Sequence, residues 1–269
     1  MLFDSHCHLF DDRFRDDLDA VLERARQAGV IGFVVPGVDL ATGEQALALA
    51  RQHGDIYAAV GLHPESLAEA SLADVPAIAA LTQDERVVAV GEIGLDYYWD
   101  TAPREVQQEV LRAQLRLAKE RRLPVIIHNR DATLDVVRLL EEEAAPELTG
   151  VMHCFSADWP AAERCLAIGF YISFGGPVTF KSNKVLQEVA ARVPDDRLLV
   201  ETDSPYLSPH PLRGKRNEPE RVRLVAEKLA ELRGQTVDEV ARLTTDNARR
   251  LFRIEGGAKA REDGPDVRI

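Results

Sequence analysis

Two histidines one residue apart, His6 and His8, stand near the start of the chain in the run LFDSHCHL (2–9). Strand side chains alternate between faces, so these imidazoles point the same way and Cys7 the other way. Paired imidazoles can chelate a borderline divalent cation. They can equally be two hydrogen-bonded histidines at a strand end, and other residues must decide. His63 ends IYAAVGLH, Glu92 lies in VVAVGEIGL, His128 ends PVIIH, His153 follows GVM, and Glu201 and Asp203 close LLVETD. Five of the seven histidines thus fall at the ends of apolar runs. Scattered core histidines would not gather there, so the set reads as a metal centre. Histidines and carboxylates in this arrangement suit two divalent cations, a pair able to clamp a displacement at phosphorus or carbon and to acidify water. Asp203 is expected to act as ligand and as acceptor of a proton from water. Glu201, two residues earlier on the same face, reads as the hydrogen-bond partner of a ligand histidine, or as a direct participant.

The elements that must position these groups follow from hydrophobic patterning. Short apolar, β-branched runs occur at 2–9, 30–38, 56–64, 87–95, 124–129, 150–155, 170–176 and 198–205. They are nearly continuous in hydrophobicity, as strands buried on both faces should be. Amphipathic stretches lie between them, such as 17–29 and 104–122, the latter with a stripe of Val106, Val110, Leu111, Leu115 and Leu117. Two helices are expected near 217–233 and 236–252. Eight strand–helix alternations predict an α/β fold, a single-domain (β/α)8 TIM barrel over residues 1–254, with chemistry at the C-terminal ends of the strands. A doubly wound open sheet is the runner-up, weakened by the lack of GxGxxG after the first strand. The polar end, 255–269, is expected to fray.

The chain has 269 residues and a net charge of −12, which argues against coating a duplex through a broad basic surface. It leaves room for an enzyme that grips a strand end locally. Three cysteines without CxxC argue against a disulfide framework. The start lacks a basic segment followed by a long apolar run, and no apolar run approaches the roughly 18 residues of a membrane span. A cytoplasmic protein with no membrane association is expected, with a monomer favoured.

FDSHCHL, GEIGLDYY (91–98), PVIIHNRDA (124–132), HCFS (153–156), LLVETDSPYL (198–207) and RGKRNEP (213–219) together resemble the TatD-type metal-dependent deoxyribonucleases of the amidohydrolase superfamily. The resemblance runs from residue 2 to about 252. It implies a TIM barrel acting on DNA, largely as a 3′-to-5′ exonuclease on single strands or 3′ ends, with Mg²⁺ or Mn²⁺ and a role in DNA repair or degradation. It further implies that His6, His8 and Asp203 hold one cation, His128 and His153 the other, and that Glu92 contacts both. The histidine-rich ligand set also suits Zn²⁺. The family usually has an acidic residue or asparagine directly after HxHL, where this chain has Phe10. Other superfamily members bridge their metals with a carbamylated lysine. No lysine precedes Lys119 here, so Glu92 must serve directly.

Around this centre, His63 is expected to bind phosphate or donate a proton, against the blander reading of a turn histidine. Arg130, two residues after His128, suits a phosphate or a carboxylate beside the metal. Arg213, Lys215 and Arg216 form a cationic loop that would grip phosphate, or would simply be solvated. Tyr97, Tyr98 and Trp99 either stack on bases or pack in the core. Two other functions compete. One is acyl or amide hydrolysis, such as deacylation of aminoacyl-tRNA, and the other is a metal-dependent binding module without turnover.

Overall fold

A computed structural model describes residues 1–99 and 101–254, so the segment expected to fray lies outside the described residues. Eight strands form one sheet in sequential order: β1 (Leu2–Asp4), β2 (Val30–Pro36), β3 (Ile56–Val60), β4 (Val87–Asp96), β5 (Val125–Arg130), β6 (Gly150–Met152), β7 (Tyr171–Phe174) and β8 (Leu198–Val200). Every neighbouring pair from β1 to β8 is parallel. The ring closes where the chain continues past β8 and β1. Ser5 N donates to Val200 O (3.1 Å), Asp203 N to His6 O (2.9 Å) and His8 N to Ser204 O (2.7 Å). This is the expected (β/α)8 barrel.

Helices α1 (Leu18–Gln27), α2 (Leu40–Gln52), α3 (Val75–Leu81), α4 (Arg104–Arg121), α5 (Thr133–Glu142), α6 (Trp159–Ala167), α7 (Lys184–Arg192), α8 (Val222–Arg233) and α9 (Val237–Phe252) accompany the strands. Several begin where the local chemistry says they should. Asp39 and Thr42 form a reciprocal cap on α2, and Thr236 and Glu239 form another on α9. The α4 stripe turns in as expected at Val110, Leu111, Leu115 and Leu117, but Val106 is exposed. Gln107 is buried in its place, because its amide bonds both backbone groups of Asp96.

Two apolar layers result. Phe3, Val34, Ala59, Ile126, Val151, Tyr171 and Leu199 fill the barrel interior, while their neighbours in sequence face the helices. α9 closes the bottom with Ala248, Leu251 and Phe252. Asn247 fixes it there by donating to Leu198 O (2.9 Å) and Asp195 O (2.7 Å). The opposite end is left for chemistry.

Several expected strands end early. The regular part of β1 stops at Asp4 and that of β8 at Val200, where the Asp4 carboxylate takes over two backbone donors, His6 N and Thr202 N. Asp4 Oδ1 accepts from Thr202 N (2.9 Å) and from His6 N (3.4 Å), and Asp4 Oδ2 meets Thr202 Oγ1 at 2.6 Å. β6 stops at Met152, just before Cys154 adopts a φ of 41°. β3 stops at Val60, and His63 then caps a short 3-10 turn, Pro64–Ala68.

Candidate functional site

Strand alternation carries most of the polar groups into the mouth. Continuing inward from Ala59, Ile126, Val151 and Leu199 in steps of two gives His63, His128, His153, and Glu201 with Asp203. Glu92 needs more than alternation. Val90 pairs with Val125 and Ile93 with Ile127, so three steps on β4 match two on β5. This bulge keeps both Val90 and Ile93 against the helices and turns Glu92 inward. Gly94 is required next to it, since a Cβ there would lie 2.0 Å from His128 O. His6 and His8 share one direction while Cys7 packs outward against Val34 O, as their spacing predicts.

Glu92 is the hub. Its Oε2 lies 3.2 Å from His6 Nε2 and 3.6 Å from His8 Nε2. Its Oε1 lies 2.9 Å from His153 Nε2, 3.1 Å from His128 Nδ1 and 3.3 Å from His63 Nε2. Asp203 Oδ1 completes the first group, 3.7 Å from His6 Nε2 and 3.4 Å from His8 Nε2. Burial would raise the Glu92 carboxyl, but His153, His63 and His6 outweigh it and hold the group well below the usual carboxylate range. Burial would likewise depress His153, yet Glu92 and Glu201 raise it well above an ordinary histidine. Mutually facing imidazole nitrogens and carboxylate oxygens, enclosed together, are a donor set that fits divalent cations. Three sets of side chains converge closely enough to share an ion: His6, His8 and Asp203; His6, His153 and Glu201; and His63, Glu92 and His128.

The surrounding shell sets how each group is presented. Glu201 is fully buried and accepts from Cys154 N (2.8 Å) while facing His153 Nδ1 (3.3 Å). It thus stands behind His153 and within the set it forms with His6 and His153. Its Oε2 and His6 Nδ1 are buried without a hydrogen-bond partner among the described residues.

Asp96 escaped the sequence reading, although it lies in GEIGLDYY. Its Oδ2 is 2.9 Å from His128 Nε2, and its Oδ1 accepts from Tyr98 N (2.9 Å) and Trp99 N (3.0 Å). A carboxylate four residues after Glu92, just ahead of an aromatic turn, was the available signal. Two glutamines of α4, seven residues apart and so on one face, clasp the loops from behind: Gln107 on Asp96 and Gln114 on Leu62.

His63 reaches the cluster from the turn that follows β3. Its Nδ1 accepts the Glu65 N–H at 3.1 Å. A backbone N–H can only donate, so Nδ1 carries a lone pair and the ring proton sits on Nε2, facing Glu92. Burial and His128 push the imidazole down to about 4, which agrees with a neutral ring. In this tautomer His63 offers the cluster a hydrogen-bond donor.

The cationic groups divide. Arg130 is exposed at the mouth and lies over Tyr98, 3.8 Å from the ring centroid. Arg213 rests over Phe180 (4.1 Å), and Lys215 is exposed. Arg216 corrects the three-cation grip: its guanidinium is paired with Asp17 (2.7 Å) and Glu218 (2.8 Å), which raise its pKa, so it braces the loop. Tyr97 is structural, bonded through its hydroxyl to Asp135 (2.8 Å).

Among the described residues no helix is long and apolar enough to cross a membrane. A family model described as TatD related DNase matches residues 3–253. The "Uncharacterized metal-dependent hydrolase YabD" of Bacillus subtilis is 51% identical over 254 residues, covering 94% of this chain and all of that protein. The "3'-5' ssDNA/RNA exonuclease TatD" of Erwinia tasmaniensis is 37% identical, covering 94% of this chain and all of its own. The crystal structure of YJJV, a TatD homologue from Escherichia coli, superposes with a TM-score of 0.90 at 36% identity, covering 94% of this chain and 98% of that one. Sequence and architecture therefore agree over nearly the whole barrel, and this chain belongs to the TatD-related DNase family of metal-dependent hydrolases.

Proposed function

We propose that the chain is a divalent-metal-dependent nuclease that hydrolyses phosphodiester bonds of single-stranded DNA from the 3′ end. The observation that carries this reading is the division of Glu92, one oxygen toward His6 and His8 and the other toward His128 and His153. Such a carboxylate suits a pair of cations, Mg²⁺ or Mn²⁺ by family precedent or Zn²⁺ by ligand type. Bound there, the cations supply charge neutralisation for a phosphodiester and acidify water near neutral pH.

The chain's own groups divide the remaining work. Burial would raise the Asp203 carboxyl, but His8 and His6 lower it below its ordinary value. It is therefore anionic at neutral pH and suited to take a proton from water. At 13% side-chain exposure it is also the most open carboxylate of the cluster, whereas Glu92 and Glu201 are enclosed. Glu201 orients His153, and Asp96 orients His128. The Nε2–H of His63, which faces Glu92 at 3.3 Å, would turn to a phosphoryl oxygen when substrate is bound. The named activity of the Erwinia relative supports the same substrate and polarity.

The test is to strip the protein with chelator and restore one metal at a time. Each form is assayed on end-labelled single- and double-stranded DNA and RNA, and on aminoacyl-tRNA. The expected result is stepwise release of nucleotides from the 3′ end of single strands. Release of amino acid without nucleotides would make the protein an acyl hydrolase. Metal binding with no turnover on any substrate would make it a binding module.

A further inference from the structure

The mouth carries exposed aromatic rings on two sides, and each set holds an arginine. On one side Tyr98 and Trp99 are 54% and 47% exposed, with ring centroids 4.9 Å apart at 89°. The Arg130 guanidinium lies 3.8 Å from the Tyr98 centroid and 5.5 Å from that of Trp99. The carboxylate of Asp96 that faces His128 also fixes this turn, through the N–H groups of Tyr98 and Trp99. On the other side Tyr206 is 47% exposed, and Arg13 lies 4.1 Å over its ring. The ring of Tyr206 meets that of His8 edge-on at 5.9 Å, and its N–H donates to Asp203 O at 2.8 Å. Arg13 is held in place by Asp11, at 2.8 and 2.7 Å.

The first set follows β4 and β5, and the second follows β8 and β1. In a ring of eight strands these positions are diametrically opposite. The Glu92 cluster lies between them. Arginines hold these rings in place. In a chain of net charge −12, Arg130 puts positive charge at the mouth, where phosphates would arrive, while Arg13 is paired with Asp11 and serves to hold the Tyr206 ring. Aromatic faces with cations beside them are the elements that bind single strands without reading sequence.

We infer that the chain holds a single strand of nucleic acid by stacking one base on the Tyr98–Trp99 set and another on Tyr206, with the phosphodiester between them at the Glu92 cluster. This rests on the nuclease reading and deepens it. Bases are gripped on both sides of the bond to be cut, so the strand must enter unpaired. Base identity is not read, since every base has a stackable face.

The chain has two tryptophans, so Trp159→Phe leaves Trp99 as the single reporter. That protein is saturated with Mg²⁺ and titrated with a hydrolysis-resistant phosphorothioate octathymidylate, and in parallel with an abasic strand of the same length. Trp99 emission should be quenched by the thymidine strand and far less by the abasic one. Separately, Trp99→Ala, Tyr98→Ala and Tyr206→Ala should each weaken thymidine-strand binding about fivefold to 150-fold, since stacking is worth about 1–3 kcal/mol per base. Equal quenching by both strands, unchanged affinity in all three variants, or no measurable strand binding overturns the inference. Cleavage of ordinary DNA by the wild-type protein is scored separately. Base-dependent quenching without cleavage would remove the nuclease reading and keep the stacking sites, and cleavage without base-dependent quenching would do the reverse.

Discussion

Asp96 and His128, thirty-two residues apart, face each other at 2.9 Å, and the other nitrogen of that histidine faces Glu92 at 3.1 Å. The imidazole is thus held between two carboxylates. Asp96 accepts the Nε2–H, so that with a cation bound the lone pair of Nδ1 would be free to hold it, the arrangement in which a ligand histidine is oriented and made more basic from behind.

Asp96→Asn should therefore weaken metal binding by about tenfold to 100-fold. With its oxygen retained by Tyr98 N and Trp99 N, the new amide would present N–H to His128 Nε2 and drive the proton onto Nδ1. Titration calorimetry with Mn²⁺ measures this. Wild-type affinity would show that His128 needs no such partner.

Glu92→Gln should lower activity by orders of magnitude and weaken binding of both cations together, because one side chain serves both groups. His128→Ala and His153→Ala should be similarly inactive, but should mainly affect one cation. Asp203→Asn should cost about 10² to 10⁴ in kcat through loss of the proton acceptor. Metal stoichiometry by equilibrium dialysis, read beside kcat, separates these outcomes.

His63→Asn should behave differently. With its proton on Nε2, His63 is a donor, so its loss should lower kcat by about 10² while metal affinity stays within a few-fold of wild type. A loss of metal affinity as large as that of His128→Ala would place His63 among the ligands.

Burial pushes the Asp4 carboxyl up to about 8. A carboxyl whose pKa is higher folded than unfolded binds its proton more tightly in the fold. Its stabilising contribution is complete below the unfolded value of about 4 and is lost as pH rises toward 8. In metal-free protein, Asp4→Asn should remove this dependence. The difference in Tm between wild type and variant should shift in favour of Asn as pH rises from 5 to 8, and a constant difference would refute it.

Arg213 and Lys215, which pair with no carboxylate among the described residues, should act on binding. Arg213→Ala with Lys215→Ala should raise KM with kcat largely kept, and flatten the salt dependence of single-strand binding by about 0.7 per lost phosphate contact. Arg216→Ala should instead lower stability by roughly 0.5–1 kcal/mol, since its partly exposed ion pairs with Asp17 and Glu218 are screened by water. A KM effect confined to Arg216→Ala would reverse this division.

Order and number of strands were legible because strands buried on both faces read as short apolar runs, and helices between them read by period. The inventory at the mouth was legible for the same reason: a polar residue at the end of such a run has nowhere else to go. From the chain alone followed a barrel and a gathering of His6, His8, His63, Glu92, His128, His153, Glu201 and Asp203 at one end. Tertiary structure alone decided how they face one another. The inward turn of Glu92 depends on a register shift between β4 and β5, which no pattern within β4 reveals. The ends of β1 and β8 are set by Asp4 reaching Thr202, and the fate of Arg216 by Asp17, each pair almost two hundred residues apart. Strand periodicity is a property of neighbours along the chain. The partner of a carboxylate or a guanidinium is whichever group the closed ring brings within about 3 Å, and only the folded barrel determines that.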